Sequence, residues 1–284
     1  MTPDMLDRLN EFRAKALEKG IPADDVERWT ETARRCAILD WKGDGPVVGR
    51  LGGPLMLPAD VPDPSCRLAA TLDLAALPAD ATDLGLPADG QLLLLADPDP
   101  DLMGEANLGA ALYIPAGTPV EERHVDLLPE QPNYPYETEF PEGLLRLTGS
   151  SVSLPFHTSV RAPGRPFDCE TLPDHPFAGE LLDVWTELPG DDIHLGLQLG
   201  GYAEDEDHLE DPSVAAGREA AQAEASGELP PAEAGVRPED WVCLAQWIHG
   251  IDGLEMALYS WSIARQDLAA GRFDRVYATM TWNP

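Results

Sequence analysis

A chain of 284 residues is long enough to bury a sizeable core, as one large domain or two small ones, and 43% apolar with 25% charged residues is ordinary for a globular protein. The charge balance is not ordinary: 51 acidic against 19 basic residues give a formal net charge of -32. With no Lys/Arg run to form a local basic patch, that balance excludes phosphate-backbone binding and leaves nucleic acid out of the expected partners.

The four cysteines, Cys36, Cys66, Cys169 and Cys243, show no CxxC or other metal-ligand spacing. That fits free thiols in a reducing compartment and argues against a zinc site. The N-terminus is acidic, without an apolar core of signal-peptide length, and no window approaches the ~18 apolar residues of a membrane span. The expectation is a soluble, cytoplasmic protein with no membrane contact and no cofactor.

In chain order, Met5, Leu6, Leu9, Phe12 and Leu17 recur at helical spacing until Gly20-Ile21-Pro22 stops them. A second helix starts near Asp24-Asp25, acids suited to its positive end, and carries Val26, Trp29 and Ala33 inward. Residues 1–36 are therefore expected as a helical hairpin covering a sheet. Residues 37–282 are expected as one α+β domain built on a large mixed, mostly antiparallel β-sheet. Its strands begin at Ala37-Ile38-Leu39 and include 67–77, 90–96, 110–115 and 144–155. Paired glycines at Gly52-Gly53, between apolar residues, call for a tight bend; prolines follow, not the helix start that a phosphate cradle needs. Ala178 to Leu188 is a short helix with Leu181, Leu182, Val184 and Trp185 as its buried face. A second glycine pair, Gly200-Gly201, echoes the first.

Residues 203–240 are rich in Ala, Glu, Asp and Pro and nearly lack large apolar side chains. They are expected as a flexible acidic insertion, with a short Ala/Glu helix near Val214–Ala225, because burial cannot offset their ordering entropy. The heaviest hydrophobic element follows. Trp241 to His249 is apolar on both alternating faces and reads as a strand covered on both sides. Gly250-Ile251-Asp252-Gly253 suits a hairpin turn, Leu254 to Ile263 returns, Gln266 to Ala270 is a helical turn with Gly271 at its left-handed cap, and Arg275 to Trp282 is a last strand. That strand places Val276, Ala278, Met280 and Trp282 on one face.

The halves can be laid over one another, an internal pseudo-duplication: Leu51-Gly52-Gly53 on Leu199-Gly200-Gly201, Leu68-Ala69-Ala70 on Leu244-Ala245-Gln246, and Ala111-Leu112-Tyr113 on Ala257-Leu258-Tyr259. Two related β-rich units joined into one sheet system are the expected consequence.

Leu-Gly-Gly-Pro-x-x-x-Pro at 51–58, Leu-Gly-Gly-Tyr at 199–202, Leu-Ala-Gln at 244–246, Leu-Tyr at 258–259 and Asp-Leu-Ala-Ala-Gly-x-Phe-x-Arg-Val at 267–276 together resemble the YwqG-like family, a bacterial domain of unknown function. The resemblance spans roughly 37–282 and implies an α+β fold with pseudo-duplicated halves. A Trp-Gly-Asp-x-Gly turn of that family is replaced here by 249–253, and the first-half Leu-Ala-Gln by Leu-Ala-Ala. The family carries no settled activity; its members encoded beside secreted-toxin systems imply an antitoxin-like or accessory role.

The six histidines lack HxH, HExxH or HxxxH spacing, the acidic run at 204–211 lacks the central glycine of a calcium loop and reads as a solvated loop, and the serines lie outside any GxSxG elbow. With no recognisable catalytic motif, the chain leans away from being an enzyme. One constellation of polar and aromatic residues stands out: Gln246, His249 and Tyr259, with Trp247 and Trp261 as aromatic walls. It is either internally hydrogen-bonded or faces a ligand cleft. The leading expectation is a binding or accessory protein that recognises a basic protein partner through its acidic surface; the alternative is a small-molecule-binding protein or hydrolase-like enzyme with a site between the halves.

Overall fold

The computed structural model describes residues 1–104, 106–124, 140–162, 168–188, 196–205, 209–248, 254 and 256–282. Helix α1 (Pro3–Glu18) starts on a capping box in which the Thr2 side chain accepts from the Met5 amide. It buries Met5, Leu9, Phe12 and Ala16, while Leu6 and Leu17, part of the expected stripe, face solvent. Helices α2 (Ala23–Glu31) and α3 (Ala178–Thr186) bury Val26, Trp29, Leu181, Leu182, Val184 and Trp185. The three form one apolar layer on Val152, Leu154 and Phe156, with Phe12 edge-on to Trp185 at 5.8 Å.

The remaining helices are α4 (Pro212–Ser226) and α5 (Arg265–Ala269). The strands are β1 (Arg34–Asp40), β2 (Val47–Leu51), β3 (Leu55–Leu57), β4 (Arg67–Asp73), β5 (Gln91–Ala96), β6 (Gly109–Ile114), β7 (Glu121–Arg123), β8 (Gly143–Ser153), β9 (Ser159–Arg161), β10 (Cys169–Thr171), β11 (Gly196–Gly200), β12 (Trp241–Ile248), β13 (Leu258–Ala264) and β14 (Tyr277–Thr281). Ten of them form one sheet in the order β14-β13-β12-β11-β1-β8-β2-β4-β5-β6, with the ribbons β3/β7 and β9/β10 beside it. The fold is thus α+β on a large sheet, as expected, and every pairing among the described residues is antiparallel.

That order reads alike from both edges. Outward from the central β1–β8 pair run β2-β4-β5-β6 on one side and β11-β12-β13-β14 on the other. The leading strands are exchanged, β1 pairing with β11 and β8 with β2, so neither half has a sheet of its own. Both β2 and β11 run into a glycine pair in the left-handed region, at φ 55° and 85° for Gly52-Gly53 and 73° and 78° for Gly200-Gly201. Leu51 lies opposite Ala70 as Leu199 lies opposite Ala245. An extra residue bulges between Leu68 and Ala70 in β4 and between Cys243 and Ala245 in β12. The register therefore equates Ala70 with Ala245, one residue away from the sequence match. The third match fails, because β6, holding Ala111 to Tyr113, corresponds to the edge strand β14, whereas Tyr259 lies on β13. Short apolar triplets resemble one another in any strand of period two, so they carry little register.

The sheet curls until its edges are bridged. The Leu108 amide donates to the Ala278 carbonyl at 3.0 Å, and the Asn107 side chain accepts from the Ala278 amide at 2.8 Å while donating to Val276 at 3.2 Å. Closure leaves one face of all ten strands around a single core that includes Leu39, Leu72, Leu92, Leu145, Leu199, Trp247, Tyr259, Trp261 and Met280.

Within residues 203–240 the helix expected near Val214–Ala225 is present as α4, and it is packed where a flexible insertion was expected. α4 lays Ala216, Gly217, Ala220 and Ala223 against Trp241, Ala264 and Tyr277. A helix face of small residues approaches the sheet closely, and the large apolar partners come from the strands, which the segment's own composition does not reveal. A Cβ at Gly217 would meet Trp241 Cδ1 at 2.7 Å. Gly217→Ala should therefore cost about 1–3 kcal/mol in thermal unfolding by overpacking, against the gain of up to ~1 kcal/mol that helix propensity alone would bring.

Candidate functional site

Of the five residues expected to share a site, the four that are described lie on two opposite faces of the sheet. Gln246 is buried on the outer face of β12: Nε2 donates to the Glu204 carbonyl at 2.8 Å and to Ser260 Oγ at 3.0 Å, and Oε1 accepts from the Glu204 amide at 2.9 Å. Trp247, Tyr259 and Trp261 point the other way, into the core. His249 and the 250–253 turn lie outside the described residues. The Tyr259 hydroxyl donates to the Leu108 carbonyl and accepts from the Asp97 amide at 3.1 Å, and Trp261 Nε1 donates to the Leu95 carbonyl at 2.8 Å. Tyr259 so ties β13 across the seam to the β5–β6 connection, and Trp261 ties it to the end of β5. Burial pushes the Tyr259 phenol far above its ordinary value, so it stays a neutral donor. Tyr259→Phe should cost about 1–3 kcal/mol in denaturant unfolding with the spectrum of the fold unchanged, since two buried seam bonds are lost.

Trp247 differs: its Nε1 is buried without a hydrogen-bond partner, and its ring meets Phe140 edge-on at 5.5 Å. Phe140 in turn carries the Arg67 guanidinium 4.4 Å above its ring. These groups open onto one rim of the curled sheet. The antiparallel register brings the ends of β1, β5, β12 and β14 together with the starts of β4, β6, β8, β11 and β13. On that rim Trp41, Met103, Phe140 and Trp282 are half-buried against the core, and Met256 is 47% exposed, with φ at 66°.

Acids lie on the same rim. The run Asp97-Pro98-Asp99-Pro100-Asp101 leaves the end of β5, with Asp99 Oδ1 accepting the Asp101 amide at 2.9 Å. Desolvation and then the neighbouring Asp99 raise the Asp97 carboxyl above its ordinary value, against the pull of Arg67. Desolvation lowers Arg67, with Asp97 opposing. Chemically the rim offers aromatic and methionine surface, a row of carboxylates and two stacked cations, Arg67 over Phe140 and Lys42 over Trp41 at 5.6 Å. Of these, the sequence reading singled out Trp247 and Trp282; the alternation of Asp with Pro at 97–101 was the signal that could have found the rest, since proline fixes φ and holds carboxylates in place.

The acidic run at 204–211, expected as a solvated loop, ends instead in buried Glu210 and Asp211. Glu210 takes Arg161 at 3.4 Å and Arg218, and Asp211 caps α4 by accepting the Ser213 amide at 2.9 Å. Among the described residues no group of three or more His, Cys, Asp or Glu side chains is placed to hold a metal ion, and no helix is long and apolar enough to cross a membrane. No family model and no curated protein matches the chain, so the resemblance to the YwqG-like family rests on its motifs alone.

Proposed function

We propose that the protein is a non-enzymatic binding or accessory protein whose rim docks a basic protein partner. The observation that carries this is the placement of Trp41, Phe140, Met256 and Trp282 on the same rim as Asp97, Asp99 and Asp101, on a chain of net charge -32. Aromatic and methionine surface supplies affinity once desolvated, and the carboxylates supply approach rate and selection against acidic partners. Many cations are engaged internally, as in Arg272 with Glu233 and Asp274 or Arg13 with Glu27, so the surplus of carboxylates is available outward. An antitoxin-like role toward a basic toxin is a special case of this reading.

The test compares wild-type protein with the double variant Asp101→Lys/Met256→Lys, both at exposed positions, as bait in native lysate at low salt and at about 0.5 M salt, where screening is strong. A near-stoichiometric basic partner, lost at high salt and lost by the variant, is the expected result. A blank, or a partner that the variant retains, overturns it. The buried Trp247 Nε1, without a hydrogen-bond partner among the described residues and under the Phe140 ring that also carries Arg67, favours a second reading, a small molecule bound behind the rim. That reading expects thermal stabilisation by a metabolite that Trp247→Phe abolishes.

A further inference from the structure

We propose that His157 and His175 form an acid-sensitive latch, holding the helical layer and the start of α4 on the sheet at neutral pH and releasing them on mild acidification. His157 follows β8, is 8% exposed, and lies 6.0 Å from the ring of Tyr202. Tyr202 donates its hydroxyl to the Thr32 carbonyl at 3.0 Å and carries the Arg34 guanidinium 3.8 Å over its ring. Arg34 reaches Asp211 at 3.8 Å, and the Leu209 carbonyl accepts the Ser159 amide at 2.9 Å. The cluster so joins α2, β1, β9, the turn after β11 and the α4 N-terminus. His175, ahead of α3, sits edge-on to Trp29 of α2 at 5.2 Å, where Arg28 donates to the Asp174 carbonyl at 3.2 Å.

Both imidazoles keep Nδ1 buried without a partner. Protonating either ring adds a charge and an N–H to a site where the buried carboxylates are already engaged, Asp211 by Arg34 and the Ser213 amide, Glu210 by Arg161 and Arg218, and Asp25 by Arg28, while the exposed Asp174 also faces His175. The charged groups facing His157 are Asp211, Arg34, Glu210 and His175, and burial outweighs the two acids to hold its imidazole below the ordinary value. Burial, then Arg28, do the same at His175 against Asp174 and Asp25. The sign follows. An opened state binds protons near the usual histidine range of about 6.5 and the closed state does not, so closure is complete above that pH and weakens as pH falls through it. Each histidine contributes up to about tenfold per pH unit.

Hydrogen exchange at pH 7.5 and 5.5, expressed as protection factors to remove the intrinsic pH dependence, tests the latch. Protection in α1, α2, α3 and the first turn of α4 should fall about tenfold or more while β12 and β13 keep theirs, and His157→Gln/His175→Gln should abolish that fall. Uniform loss, no loss, or loss retained in the variant overturns the proposal. Should the variant not fold, imidazole titration of the wild type by NMR decides it: both midpoints clearly below about 6.5 uphold it, and ordinary midpoints overturn it.

Discussion

Asp267→Ala is expected to lower the unfolding free energy by about 3–5 kcal/mol, the usual cost of leaving one member of a buried ion pair without its partner. Asp267 is fully buried and Arg275 is 1% exposed. Arg275 Nε lies 3.5 Å from Asp267 Oδ2, and its guanidinium also reaches Glu224 at 3.1 Å and the Pro230 carbonyl. Asp267 Oδ1 accepts the Glu233 amide at 2.8 Å, so the same carboxylate pins the chain between α4 and β12. The loss should be largely recovered in Asp267→Ala/Arg275→Met, which removes both charges and keeps apolar volume. Denaturant titration of the two proteins checks it; a single-variant loss under ~1 kcal/mol would sink this account. The pair also explains the Asp-Leu-Ala-Ala-Gly-Arg-Phe-Asp-Arg-Val stretch structurally. Its first and ninth residues are the ion pair, Leu268, Phe273 and Val276 enter the core, and Gly271 at φ 72° follows the end of α5.

Trp261→Ala should cost a similar amount, about 3–5 kcal/mol, from lost burial and the cavity left behind. Its ring packs 4.8 Å from Tyr259, and a Cβ at Gly109 would already stand 3.2 Å from its Nε1. The seam is closed by side chains here, so the variant should unfold at lower denaturant and expose the β6 and β14 edges to aggregation. Trp261→Phe, which keeps an aromatic ring but not the Leu95 hydrogen bond, should lose only a part of this. If the residue were instead a ligand-cleft wall, Trp261→Ala would leave stability nearly unchanged, and calorimetric unfolding separates the two.

Much of the fold was legible locally. Helix α3, expected over Ala178–Leu188 and found over Ala178–Thr186, buries the four residues that its 3.6-residue spacing turns inward, and the left-handed Gly271 follows from its place after an alanine run. The Trp241 strand, apolar on both faces, is buried on both faces because the curled core lies on one side and α4 on the other. The site was less legible. Gln246, Trp247, Tyr259 and Trp261 were recognised as a concentration of polar and aromatic groups, yet alternation sends Gln246 to one face and the three rings to the other. The Trp261 and Tyr259 polar atoms then find partners at the end of β5 and on the β5–β6 connection, more than 150 positions away in the chain.

By itself the sequence determined the acidic charge balance, the α+β class, the helical cover and the repeated glycine-ended strands, because each depends on composition or on neighbours a few residues apart. Only the tertiary structure decided that the two halves exchange their first strands, that the sheet edges meet, and that a poorly apolar segment becomes a packed helix. Those outcomes depend on which distant surface covers which face, and a period-two pattern specifies two faces without saying what lies against either.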